Sequence, residues 1–169
     1  GNINKYDLLD ELLNVYEEII KKCESLGVKD IQIDEPIAAL DLNEEEKSAL
    51  KAAYARLSSV SQIKIHLTTY FGDLRDNQAL VYSLPVDSIH LDQSRNNIDA
   101  AIAEFPTDKT VSLGLVNGRN IWINNFDESL RVIESAIDRL GKDQVIVSAS
   151  CSLLHSPVTL SNEEKLNSE

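Results

Sequence analysis

The feature that most constrains this chain is the strict alternation of two hydrophobic periods. Segments with apolar residues at spacings of three and four are followed, each time, by short β-branched runs. Tyr6, Leu9, Leu12, Leu13, Tyr16, Ile19, Ile20, Cys23 and Leu26 mark one long amphipathic helix, and Gly27 supplies its left-handed stop. "VKDIQID" then reads as a strand. "NEEEKSALKAAYARL" is a helix in which Asn43 and Glu46 form a capping box, and "IKIHLTTYF" is a strand. A short helix in "DNQALVYSL" precedes the strand "DSIHLD". The helix in "RNNIDAAIAEF", ended by Pro106, precedes "TVSLGLV". "DESLRVIESAIDRLG" carries Leu130, Ile133, Ile137 and Leu140 on one face, stops at Gly141, and leads into "QVIVSAS".

Strands joined through helices must run parallel. Five are expected, near residues 31–34, 63–69, 88–92, 110–115 and 144–148. Such strands are expected to be covered on both faces, with apolar side chains pointing inward as well as outward. Two α/β architectures fit: a doubly wound open sheet, or part of a (β/α)8 barrel. With 169 residues, 43% of them hydrophobic, the chain can bury one substantial core.

A net charge of −12 argues against nucleic acid and against an anionic membrane surface. No apolar run approaches the roughly 20 residues that cross a bilayer, and the opening residues lead to an expectation of no signal peptide. Two distant cysteines suggest no disulfide framework, so a cytoplasmic location is the expectation. Ser161, with Glu164 three residues on, starts a second capping box with too few residues after it for a helix, which suggests a chain cut from something longer.

Polar and ionisable residues gather at the C-terminal ends of the strands: Asp34 and Glu35, Thr68 to Tyr70, Asp92, Asn117 to Arg119, and Cys151. Sites of barrels and of open α/β sheets lie there. Gly114 and Gly118 in "LGLVNGRN" do not make a G-x-G-x-x-G phosphate loop. Cys151 and His155 straddle a strand end where the chain changes direction, so a thiol–imidazole pair is not expected.

"QIDEP", "TTYFGDL", "LPVDSIHLD", "LGLVNGRNIW" and "SCSLLHSPV", in this order, resemble the N-terminal barrel of cobalamin-independent methionine synthase. The resemblance implies a partial (β/α)8 barrel: residues 1–169 as a fragment of the N-terminal barrel domain, with the catalytic C-terminal barrel absent. That family pairs two facing barrels. Zinc in the C-terminal one activates homocysteine, which takes a methyl group from 5-methyltetrahydropteroyl-triglutamate.

Set against the catalytic half's zinc motifs, Cys151 matches one cysteine and Asp92 takes the place of a glutamate. His66 and Thr68, or else Thr68 and Tyr70, occupy the His-x-Cys positions, and in either register the cysteine is gone. Arg119 falls near the proton-donating histidine's place, and an arginine is effectively always charged. The expectation is therefore a site that lost its metal: vestigial Asp92 and Cys151, no catalytic residue and no cofactor in this chain. Asp34 and Glu35 match an amine-binding motif, and a loop-shaping role is expected of them here. Trp122 and Arg119 are weighed between plain packing and a surface facing the other barrel or the folate. The basic residues through which the family holds the polyglutamate tail lie upstream, so none carries over.

The implied partner is the C-terminal barrel in cis. A part of a methyltransferase, inactive by itself, is the leading expectation. A non-catalytic folate-binding or scaffold module is the alternative, and a complete independent enzyme is disfavoured by the missing ligands. Open sheet edges and uncovered apolar side chains, each worth about 1.5–3 kcal/mol when buried, lead to an expectation of self-association.

Overall fold

A computed structural model describes residues 4–95, 97–154, 156–159 and 161. Five helices alternate with five strands: α1 (Leu9–Ser25), β1 (Asp30–Asp34), α2 (Glu44–Leu57), β2 (Lys64–Thr68), α3 (Gln78–Ser83), β3 (Ser88–Asp92), α4 (Ile98–Glu104), β4 (Thr110–Val116), α5 (Phe126–Leu140) and β5 (Val145–Ala149). The sheet runs β1-β2-β3-β4-β5 with every neighbouring pair parallel. The expected strands are all present, each within a residue of the bounds read from the sequence.

Local chemistry explains where the helices begin and end. Asn43 Oδ1 accepts from the Glu46 amide at 2.9 Å while Glu46 Oε2 accepts from the Asn43 amide at 3.0 Å, closing the capping box. Asn125 caps α5 through the Glu128 amide, 3.2 Å away. After α1 the Val28 amide returns to the Cys23 carbonyl and the Gly27 amide to Glu24, a Schellman stop made possible by φ +85° at Gly27. The capping box at Ser161 lies outside the described residues, since Glu164 is not among them.

The core decides between the two architectures. Ile65 and Leu67, Ile89 and Leu91, and Val111 and Leu113 are buried on one face of the sheet. All five helices cover that same face, through Leu13 and Ile20, Tyr54, Val81, Ala101 and Ile102, and Val132 and Ala136. A doubly wound sheet would send helices to both faces and break the sequential strand order. One-sided cover and an unbroken order belong to a stretch of (β/α)8 barrel.

The other face corrects the expectation of apolar inward side chains. Strand register places Gln32, His66 and Ser88 in one row and Asp34, Thr68, His90 and Ser112 in the next. From β1 to β4 this inner face is polar, so its exposure there carries little hydrophobic cost, while on β5 Ile146, paired with Ser112, is 41% exposed at the cavity wall. Uncovered apolar surface lies instead at the two flanks and along residues 121–123 after β4. Half of the α1 stripe is turned out, with Leu12 53% and Ile19 52% exposed, and Leu130 on α5 is 54% exposed.

Candidate functional site

The polar rows line an open cavity of about 600 Å³. Its walls include Asp34, His66, Thr68, Tyr70, His90 and Cys151. His66 bridges two strands, with Nδ1 against the Ser88 hydroxyl and Nε2 3.0 Å from Asp30 Oδ1. His90 repeats the arrangement one row on. Its Nε2 lies 3.2 Å from the Ser150 carbonyl, which can only accept, so that nitrogen carries the hydrogen. Nδ1 then accepts from Ser112 Oγ at 3.0 Å. Burial holds the His90 imidazole below its ordinary pKa of 6.5, which keeps it neutral.

The Asp-Glu pair separates as strand alternation requires. Asp34 faces the cavity, and its Oδ1 accepts from Gln32 Nε2 at 2.6 Å. Burial and the neighbouring Asp34 carboxylate push the Tyr70 phenol up to about 12. Glu35 turns to the helix side, where Tyr54 Oη donates to its Oε2 at 3.2 Å and its amide donates to the Thr68 carbonyl at 2.8 Å. Burial raises the Glu35 pKa, and the Tyr54 hydrogen bond opposes that rise. The contacts of Glu35 tie the loop after β1 to α2 and β2.

Asp92 is 1% exposed and its oxygens are taken. Oδ1 accepts from the Ser94 amide at 2.9 Å and from Ser94 Oγ at 2.6 Å, and Oδ2 from the Phe71 amide at 3.2 Å. It organises the loops after β2 and β3. Cys151 lies at the far wall, its Sγ 3.7 Å from the Ser152 carbonyl. His155 lies outside the described residues. Among the described residues no three His, Cys, Asp or Glu side chains are grouped to hold a metal ion.

Gly114 and Gly118 serve close packing. A Cβ on Gly114 would stand 2.8 Å from Ser150 Cα and 2.9 Å from the His90 ring. One on Gly118 would stand 2.9 Å from the Cys151 carbonyl oxygen. Beyond them, Trp122 is not packed: it is 79% exposed, beside Ile121 and Ile123, while the Arg119 guanidinium lies 5.1 Å from the Phe71 ring centroid.

The sheet and its one-sided helices define part of a (β/α)8 barrel whose strand ends converge on a polar cavity. Residues 1–141 match the family described as cobalamin-independent synthase, N-terminal domain, and the chain belongs to that family. Among curated relatives, it is 43% identical to the 5-methyltetrahydropteroyltriglutamate–homocysteine methyltransferase of Salinibacter ruber and 42% identical to that of Saccharomyces cerevisiae. Each comparison covers 99% of this chain and 22% of the relative, so the chain spans about a fifth of those proteins. Among solved structures, a B12-independent methionine synthase from Shewanella sp. W3-18-1 superposes with a TM-score of 0.67 at 16% identity, covering 85% of this chain and 47% of that one. A Listeria monocytogenes protein described as a putative vitamin-B12-independent methionine synthase gives 0.65 at 16% identity, over 90% and 50%. These two show the same fold.

The sequence reading names His66 only as a candidate for a lost metal motif; His90, the bridging role of both histidines and the packing role of the glycines are not in it. A signal for the histidines was present: "KIHLT" and "SIHLD" alternate polar and apolar residues strictly, which marks one polar face.

Proposed function

We propose that this chain serves as a non-catalytic section of the first barrel of a methyltransferase that makes methionine from homocysteine and 5-methyltetrahydropteroyl-triglutamate. The carrying observation is identity of about 43% across 99% of the chain to enzymes of that name combined with an occupied Asp92. In this reading the chain holds no zinc and moves no methyl group. The metal and the chemistry belong to a C-terminal barrel acting in cis. The exposed lip of Ile121, Trp122 and Ile123, with Arg119 against Phe71, is the surface that barrel covers.

A folate-binding module is the second reading, favoured by the exposed Trp122 beside Arg119 and opposed by the charge of −12, which repels a polyglutamate tail. Elemental analysis and a methyl-transfer assay on the purified chain test the first reading. The expected result is no stoichiometric zinc and no methionine formed. One zinc per chain, lost on Cys151→Ala, overturns it. Heat released on titrating 5-methyltetrahydropteroyl-triglutamate into the chain selects the second reading instead.

A further inference from the structure

The loop after β2 holds a phenylalanine where a bulky side chain is costly. Phe71 sits at φ +74°, in the left-handed region that few side chains other than those of asparagine and aspartate enter. Its surroundings fix it there. The Phe71 amide donates to Asp92 Oδ2 at 3.2 Å, and the Thr69 hydroxyl donates to the His90 carbonyl at 2.6 Å. On the other side Gly72 packs so closely that a Cβ would stand 3.0 Å from Ala39 Cβ. Strain held in place by its surroundings collects where a side chain is positioned for use. Core packing does not account for it, since Phe71 is 53% exposed. What the ring meets is Tyr70, with centroids 4.7 Å apart, and the guanidinium of Arg119, 5.1 Å from its centroid.

Arg119 is set apart from the other arginines whose side chains are described. Arg56, Arg75 and Arg131 pair with carboxylates, and Arg139 donates to backbone carbonyls. Among the described residues the Arg119 guanidinium has only the face of Phe71. It is also the sole charge in residues 117–125, in a chain where 26% of residues are charged and the net charge is −12. Next to it in the chain stand the exposed Ile121, Trp122 and Ile123. A surface rich in aromatic and aliphatic groups, poor in charge and holding one arginine has the composition of an interface centre.

Covering that surface takes Arg119 out of water together with its neighbours. A guanidinium buried without a counter-charge is strongly unfavourable, so the covering surface has to supply one. We propose that Arg119, held on the Phe71 ring, is the charged anchor of this surface, and that the part of the C-terminal barrel docking there presents a carboxylate set among apolar side chains. The occupant is the one that the proposed function names, and the assignment rests on that reading. Asp92, through the Phe71 amide, is then a positioning residue that fixes the ring on which the anchor lies.

Maleimide labelling of Ile123→Cys, read by mass on the peptide that contains it, reports whether the surface is open. It is measured on the purified chain and on the full-length protein of which the proposed function makes this chain a section. Labelling is expected to be at least about tenfold slower in the full-length protein. Equal rates would overturn the docking itself, and with it the covering barrel of the proposed function. Arg119→Lys, Arg119→Gln and Arg119→Glu are then compared in the same background. Labelling of the full-length protein is expected to be slowest for the parent and to rise through the lysine, glutamine and glutamate variants. The last is expected to reach about tenfold or more above the parent, because the carboxylate is left facing a like charge. Equal rates for the glutamine and glutamate variants would overturn the carboxylate. Protection unchanged in all three would overturn the anchor while leaving the proposed function standing. Phe71→Asn keeps a residue that accepts the left-handed conformation and removes the ring. It is expected to speed labelling of the full-length protein without lowering the urea midpoint of the chain. Unchanged labelling would overturn the ring as the seat of Arg119.

Discussion

His90 on β3 donates through Nε2 to the carbonyl of Ser150, 60 residues further along the chain and just past β5, at 3.2 Å. The imidazole crosses β4 to reach it, and only a glycine beneath leaves room. Gly114 pairs with Asp92 in register, and a Cβ there would meet both Ser150 and His90 inside 3.0 Å. Gly114→Ala must move backbone on one side or the ring on the other. Overpacking of this kind costs about 1–3 kcal/mol. Urea unfolding is expected to show that loss, and an unchanged midpoint would contradict the crowding.

The same histidine makes stability depend on pH. Burial lowers its folded-state pKa below 6.5, whereas in the unfolded chain it titrates near 6.5. Below that value the unfolded state binds the extra proton, so His90's contribution to stability is full above pH 6.5 and is lost as pH falls toward the folded-state pKa. One group contributes at most ~1.4 kcal/mol per pH unit. His90→Gln removes the titration. Urea midpoints between pH 7.5 and 5.5 are expected to fall more steeply for the parent than for the variant; parallel slopes would refute the assignment.

The fold was readable because its signals are local. Each helix has a periodic face and most have a side-chain cap or a glycine stop, and parallel strands follow from the connections. The inner face was misjudged for a physical reason. Parallel strands covered on both sides usually read as apolar runs, and that rule outweighed the alternation in "KIHLT" and "SIHLD". The site was less legible still. His66 meets Ser88, and His90 meets Ser112, across strand neighbours 22 residues apart. Only the register brings them together, and no motif records it. Asp92 and Cys151 were picked out by likeness to metal ligands, but which oxygens are free depends on loops that fold back from β2 and β3.

The capping box offers a stability test far from the cavity. Asn43→Ala removes the acceptor for the Glu46 amide at the start of α2. Losses of this kind run to about 0.5–2 kcal/mol, while glycine at the same place costs only a few tenths. Thermal unfolding is expected to rank the parent first, Asn43→Gly next and Asn43→Ala last. Equal effects of alanine and glycine would show that the cap hydrogen bond contributes little.

Tyr54 and Glu35 couple stability to pH in the opposite sense to His90. Burial raises the Glu35 pKa above 4.5, so its contribution to stability is full below pH 4.5 and is lost as pH rises through the folded-state value. The hydroxyl of Tyr54, itself 2% exposed, limits that loss by donating to the carboxylate at 3.2 Å. Tyr54→Phe keeps the ring that fills the core and removes only the donor. A carboxylate left without its partner costs about 1–3 kcal/mol, less here because Glu35 is only half-buried. Once protonated, the carboxyl no longer needs that donor. The variant is therefore expected to lose more stability at pH 7 than at pH 4, by on the order of 1 kcal/mol. With Glu35→Gln in the background nothing titrates at that position, and Tyr54→Phe is expected to cost the same at both pH values. Equal losses at pH 7 and pH 4 in the otherwise unchanged chain would show that Tyr54 holds Glu35 by packing and not by the hydrogen bond.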